Sequence, residues 1–409
     1  MKKFLCMLII LAIVGGCVYL YTAGKLNFCE KTQSNPIAAE EESSPEPDAD
    51  LQTDTALLTQ GNRSESSYVD SLLAQMSLDE KIYQMMFVTP ESITGVGQVI
   101  QAGDGTKTAL ENYPVGGIVY FAQNIKDREQ VKTMLSNTKS YSKIPLFLGV
   151  DEEGGQVSRL KNAGIEIQPP MKEIGSTEDS QRAYQVGVQL ANDLSELGFN
   201  VDFAPVADVL TNPNNSVIGS RSFGSDPELV SEMVAQEVRG LQENNISAAL
   251  KHFPGHGDTQ TDTHHGYSET LRTMDQLKEC EFLPFISGIE ADVDFVMVAH
   301  IAAVNVTEED VPATLSKELI TDCLLKELNF KGIVITDSFQ MGAITQNYTT
   351  ADAVVKSVDA GVDMILMPAD VNAAYSAIKT AIEQGELSEE RINDSVRKIL
   401  SVKVKRKLF

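Results

Sequence analysis

Eight short apolar runs recur along this chain, at residues 84–88, 116–121, 145–151, 200–206, 247–252, 295–300, 332–337 and 362–367. They read as continuous apolar stretches with no period-two alternation, as strands covered on both faces should. Longer amphipathic stretches separate them, among them 128–139, 181–197, 227–243, 274–290, 317–328 and 372–383. Ser225-Asp226-Pro227 places a capping side chain and then proline at a helix start. Eight β/α units point to an α/β fold of the (β/α)8 TIM barrel type. The alternative, a doubly wound open sheet, usually carries a glycine-rich phosphate turn after its first strand. Thr89-Pro90-Glu91-Ser92 is not such a turn.

A long segment of the 409 residues lies before the first strand. Lys2 and Lys3 precede an uncharged, mostly apolar run over 4–24. Two readings compete for it. One is an export signal ending in Val14-Gly15-Gly16-Cys17, which resembles a bacterial lipobox with a lipidated cysteine. The other is an uncleaved membrane anchor, since about 20 apolar residues span a bilayer. Either places the remainder outside the cytoplasm. Residues 30–65 carry nine acids, two bases and many Ser, Thr and Pro, so they read as a disordered acidic linker. The expected layout is an anchor or lipoprotein segment over 1–29, the linker over 30–65 and one catalytic barrel over 66–409. Of the formal charge of −25, the first segment carries +3, the linker −7 and the barrel −21. That acidity excludes a nucleic-acid partner, which needs a basic face. Five cysteines, three of them before residue 30, make no disulfide framework.

Catalytic groups of a barrel collect at the C-terminal ends of its strands. The third strand ends in Asp151, followed by Glu152, Glu153 and Arg159. The fourth runs into Asp208, the fifth ends in Lys251-His252, the sixth in His300 and the seventh in Asp337. Four of the five histidines fall between Lys251 and Gly266, in a stretch whose Pro254, Gly255, Gly257 and Gly266 exclude a helix. A metal site is one reading of this loop, but no helical His-Glu-x-x-His pattern is present. Acid/base chemistry is the other. Asp262 and His264 are two apart, which in extended chain directs both side chains to one side, and a neighbouring carboxylate favours the protonated imidazole. His256, between two glycines, reads as a structural hydrogen bonder. Asp337 supplies a carboxylate partner, and Lys251, Arg159, Arg221 and Asp151 supply fixed hydrogen-bonding groups suited to a hydroxylated ligand.

Lys251-His252-Phe253-Pro254-Gly255-His256-Gly257, Asp262-Thr263-His264, the run from Val201 to Val209 and Ile335-Thr336-Asp337-Ser338 resemble glycoside hydrolase family 3, and within it the bacterial β-N-acetylglucosaminidase branch. The resemblance spans residues 68–399. It implies a (β/α)8 barrel and retaining hydrolysis of a terminal β-linked N-acetylglucosamine, with Asp337 as nucleophile and His264, supported by Asp262, as acid/base. It also implies substrate contacts from Asp151, Arg159, Arg221, Lys251 and His252, a carbohydrate partner and no cofactor. Many members carry a glutamate acid on a second domain; this chain runs about forty residues past its eighth strand, so the donor is expected on the barrel's own loops. Three alternatives stand beside this reading: a glycoside phosphorylase of the same family, a metal-dependent barrel hydrolase and a non-catalytic wall-binding module.

Overall fold

The computed structural model describes residues 65–259, 268–308 and 311–409. The expected anchor, all but the last residue of the expected linker, and Asp262, His264 and His265 lie outside the described residues. Among the described residues no helix is long and apolar enough to cross a membrane.

Each of the eight expected runs contains a strand. These are β1 (Met86–Val88), β2 (Gly117–Val119), β3 (Phe147–Val150), β4 (Val201–Asp202), β5 (Ser247–Phe253), β7 (Phe295–Val298), β9 (Ile333–Thr336) and β10 (Ile365–Leu366). They form one sheet in the order β10-β1-β2-β3-β4-β5-β7-β9. Every pairing is parallel, with registers such as Gly117 beside Phe147 and Phe295 beside Ile333. A parallel bridge from Ile335 to Met364 joins the two outermost strands. The order therefore runs around a circle without the reversal of a doubly wound sheet, and the barrel expectation holds. Most strands are shorter than their apolar runs. The terminal residues of those runs leave the ladder and serve as the rim. Two three-residue strands that the sequence pattern did not reveal, β6 (Ser268–Thr270) and β8 (Ile301–Ala303), pair with each other above it.

The expected helices form at Arg128–Tyr141, Ser180–Leu197, Pro227–Gln242 and Val371–Gln384, with Asp127, Asp179, Asp226 and Asp370 capping them. The expected helix over 274–290 contains a wider π turn at Leu277–Glu281. Pro284 follows it, and a proline cannot donate to the carbonyl four residues back, so the turn absorbs the mismatch.

Inside the barrel, Phe87 from β1, Phe147 from β3 and Phe295 from β7 meet ring to ring, with centroids 6.4 and 5.2 Å apart. A Cβ on Gly117 would stand 2.7 Å from the Phe87 ring and one on Gly149 2.9 Å from it, so these glycines leave room for that ring. The floor is closed by the last helix, Glu389–Lys405. Its buried Lys403 donates to Gln84 Oε1 at 2.6 Å and lies 5.0 Å above the Phe147 ring. Lys398 reaches Asp363 at 2.9 Å and Lys405 reaches Asp294 at 2.8 Å. Arg406, just past the helix, also pairs with Asp294. Gln84, Asp294 and Asp363 all precede strands, so this end is the floor and the opposite rim is left for chemistry.

Candidate active site

The rim is organised by the end of β5. Lys251 is buried at 2% exposure, and its Nζ lies 2.8 Å from Asp151 Oδ1 and 2.6 Å from Glu153 Oε1. Arg221 holds the same Glu153 carboxylate with both arms of its guanidinium, at 2.8 and 2.7 Å. Burial alone would raise the Glu153 carboxyl, but Lys251 and Arg221 overcome it and hold the group down at about 2. Burial also works against a charged Lys251, and Asp151 and Glu153 reverse that, so its ammonium is held above its ordinary value. Three consecutive acids divide their work. Asp151 and Glu153 face the cavity. Glu152 turns the other way and accepts from the backbone N–H groups of Arg159 and Leu160 at 2.8 and 3.0 Å, closing the loop that carries Arg159. Arg159 lies 4.0 Å from Asp151 and 6.0 Å from the Phe121 ring centroid.

Asp208, fully buried after β4, is the second organiser. Its Oδ2 accepts from His252 Nδ1 at 2.7 Å and its Oδ1 from the His256 backbone N–H at 2.6 Å. Burial would raise this carboxyl, and the two histidine contacts outweigh it and lower it. An ionised carboxylate only accepts, so the His252 proton sits on Nδ1 and Nε2 is left to accept from Arg221 Nη2, 3.4 Å away. His256 packs edge-on against His252 with ring centroids 5.7 Å apart. Its Nδ1 contacts the Thr259 hydroxyl at 2.6 Å. Its Nε2 is buried without a hydrogen-bond partner among the described residues. Burial lowers this imidazole and so favours its neutral form. His256 is thus the structural hydrogen bonder the sequence suggested, and it lines the cavity as well.

Two glycines explain the shape of the Lys251–Gly257 motif. Gly255 has φ +130° and packs with its α-carbon face on Glu281, where a Cβ would come within 2.6 Å of Glu281 Cγ. A Cβ on Gly257 would collide with the Val209 carbonyl oxygen. Glycine at both positions therefore lets the motif lie flat on the rim.

Asp337 follows β9. Its N–H donates to the Val298 carbonyl at 2.8 Å and its Oδ1 accepts from Ser338 N–H at 2.7 Å. His300 braces this turn from behind. Its Nε2–H donates to the Ser338 carbonyl at 2.9 Å and Nδ1 meets the Thr314 hydroxyl at 2.9 Å. Asp337, Asp151, Arg159, Arg221, Lys251 and His252 all line one cavity of about 260 Å³, with Val119, Phe121 and Met297 among its apolar walls. The structure thus gathers six of the eight residues singled out from sequence. The other two, Asp262 and His264, lie outside the described residues, between Thr259 and Ser268. Glu153 and Asp208, which the sequence places at strand ends without a role, organise the site. The signal for Glu153 was alternation, since it stands two residues after Asp151 in extended chain.

Residues 77–402 match the glycosyl hydrolase family 3 N terminal domain. Beta-hexosaminidase A of Pseudoalteromonas piscicida is 33% identical over 324 residues, 72% of this chain and 54% of that protein. This chain therefore spans about half the length of that relative. A beta-hexosaminidase of Stenotrophomonas maltophilia is 34% identical over 66% of this chain and 82% of its own length. Among solved structures, a glycoside hydrolase family 3 beta-N-acetylglucosaminidase from Paenibacillus superposes with a TM-score of 0.77 at 35% identity, covering 81% of this chain and 63% of that one. The shared barrel and the length of the match make this chain a member of glycoside hydrolase family 3.

Proposed function

We propose that the chain is a retaining β-N-acetylhexosaminidase that releases terminal β-linked N-acetylglucosamine from cell-wall or chitin-type fragments. The observation that carries this reading is the cavity itself: Asp337 stands at the end of β9 in the same pocket as Lys251, Arg221, Arg159, His252 and Asp151. A carboxylate nucleophile thereby faces fixed donors and an acceptor, the set a sugar ring held by its hydroxyls requires. The names of the relatives supply the N-acetyl preference.

In the first half-reaction an Asp337 oxygen attacks the anomeric carbon. The glycosidic C–O bond breaks, and its electron pair stays on the leaving oxygen, which takes a proton from His264. Asp262 holds the imidazole for this transfer. In the second, His264 takes a proton from water as the water oxygen displaces Asp337, restoring both groups. Lys251, His252, Arg221, Arg159 and Asp151 bind and orient the sugar. The mechanism calls for neither metal nor organic cofactor. By the same reading, residues 1–29 hold the enzyme at the outer side of a membrane, as an anchor or through a lipid on Cys17.

The test is hydrolysis of an aryl N-acetyl-β-glucosaminide and the matching glucoside, with and without phosphate. Asp337→Asn is expected to lose several orders of magnitude in kcat, and His264→Ala to lose less on the aryl substrate because its leaving group needs less protonation. Near-normal turnover by Asp337→Asn overturns the nucleophile. Sugar 1-phosphate as the main product makes the enzyme a phosphorylase, and activity abolished by a chelator and restored by zinc makes it a metal-dependent hydrolase.

A further inference from the structure

A second charged cluster sits beside the active site and takes no part in the mechanism. Arg272 Nε lies 3.3 Å from Glu281 Oε1 and 3.6 Å from Asp258 Oδ2. The three residues come from different segments. Asp258 follows the Lys251–Gly257 motif, Arg272 follows β6, and Glu281 closes the π turn at Leu277–Glu281. Asp258 also faces two hydroxyls, Thr211 and Thr270, each at 3.4 Å, and the Thr270 hydroxyl accepts from Arg272 N–H at 3.2 Å. Glu281 is 1% exposed, lies directly beneath Gly255, and neither of its oxygens has a hydrogen-bond partner among the described residues. Burial raises its carboxyl to about 7, against the pull of Arg272. A buried acid is costly to keep even beside a guanidinium.

The cluster's place in the chain suits it to a task. Asp258 stands just before residues 260–267 and Arg272 just after them. Arg272 therefore ties the two ends of that segment to each other through Asp258, and ties both to the body of the barrel through Glu281. Asp262 and His264 belong to the segment so bracketed. We propose that Arg272, with Asp258 and Glu281, is a positioning cluster that sets where the proton donor meets the leaving group. This rests on the acid/base reading of His264.

The expected consequence is selective. A misplaced donor slows only the step that needs its proton, while attack by Asp337 on a substrate with an acidic leaving group goes on. Arg272→Met and the milder Asp258→Asn should lose about 100-fold in kcat/KM on phenyl N-acetyl-β-glucosaminide and less than about 5-fold on the 2,4-dinitrophenyl substrate. Arg272→Lys should recover most of the loss. In the His264→Ala background, Arg272→Met should cost nothing further on the phenyl substrate, because both changes remove the same proton transfer. Equal losses on the two substrates in both variants, or additive losses in the double variant, would overturn the proposal. If His264→Ala shows the leaving-group dependence and the bracket variants do not, the bracket alone falls. If the bracket variants show it and His264→Ala does not, the bracket stands and the donor is another residue.

Discussion

Glu237 lies fully buried in the helix Pro227–Gln242, and neither carboxylate oxygen has a hydrogen-bond partner among the described residues. Burial, with Glu153 adding repulsion, raises its pKa from 4.5 to about 8. The unfolded chain releases this proton near 4.5 and the folded chain near 8, so between those values the folded state binds more protons and stability falls as pH rises. Glu237→Gln removes that slope. The variant is expected to match wild type near pH 4.5 and to exceed it by roughly 3 kcal/mol at pH 7, measured by denaturant unfolding at several pH values. A constant difference across the range would show that Glu237 titrates in the fold as it does in the unfolded chain. Single residues were also where sequence reading succeeded unevenly. Asp151, Lys251, His252 and Asp337 were legible because each ends an apolar run, and a barrel gives that position one meaning. Arg159 and Arg221 were legible as fixed cations in the loops that follow the third and fourth strands. Glu153 and Asp208 stood at strand ends without a role because their partners, Arg221 and His252, come from segments 68 and 44 residues away, and no local pattern encodes such a pairing.

At the scale of elements, the rim motif after β5 depends on close backbone approach. Gly257→Ala would drive a methyl group into the Val209 carbonyl, displacing the loop that orders His256 and Asp258. Overpacking of this kind costs about 1–3 kcal/mol, so a fall in Tm with a sharp loss of kcat/KM is expected. Unchanged values would mean that the loop yields freely. The eight strands were legible because burial on both faces leaves a continuous apolar signature, and the helices because their caps and periodicity agree. Strand lengths were not. Pairing around a tilted barrel keeps only two to seven residues of each run in the ladder, and the leftover residues look equally apolar in sequence. β6 and β8 escaped notice because three residues are too few to show any period. The π turn escaped because Pro284 announces an interruption without saying how the chain absorbs it.

For the molecule as a whole, residues 66–409 carry a formal charge of −21, while the pocket sets Lys251, Arg221 and Arg159 against Asp151, Glu153 and Asp337. The N-terminal reading gives a prediction at this scale. Full-length protein expressed in a bacterium is expected in the membrane fraction, and Cys17→Ala should leave it there if residues 1–29 act as an anchor, or release it if a lipid on Cys17 does the holding; recovery of wild type from the cytosol would overturn both. The floor of the barrel has a consequence for how the chain is made. Lys403 closes against Gln84 across 319 residues, and Arg406 and Lys405 close against Asp294 across more than a hundred. A growing chain emerging from the ribosome can pair neighbouring strands early, but it lacks the plug for its own base until the final helical turn has been translated. Closure of the barrel's base thus waits for residues 403–406, and a ribosome stalled anywhere before residue 403 holds a sheet whose bottom is open to water.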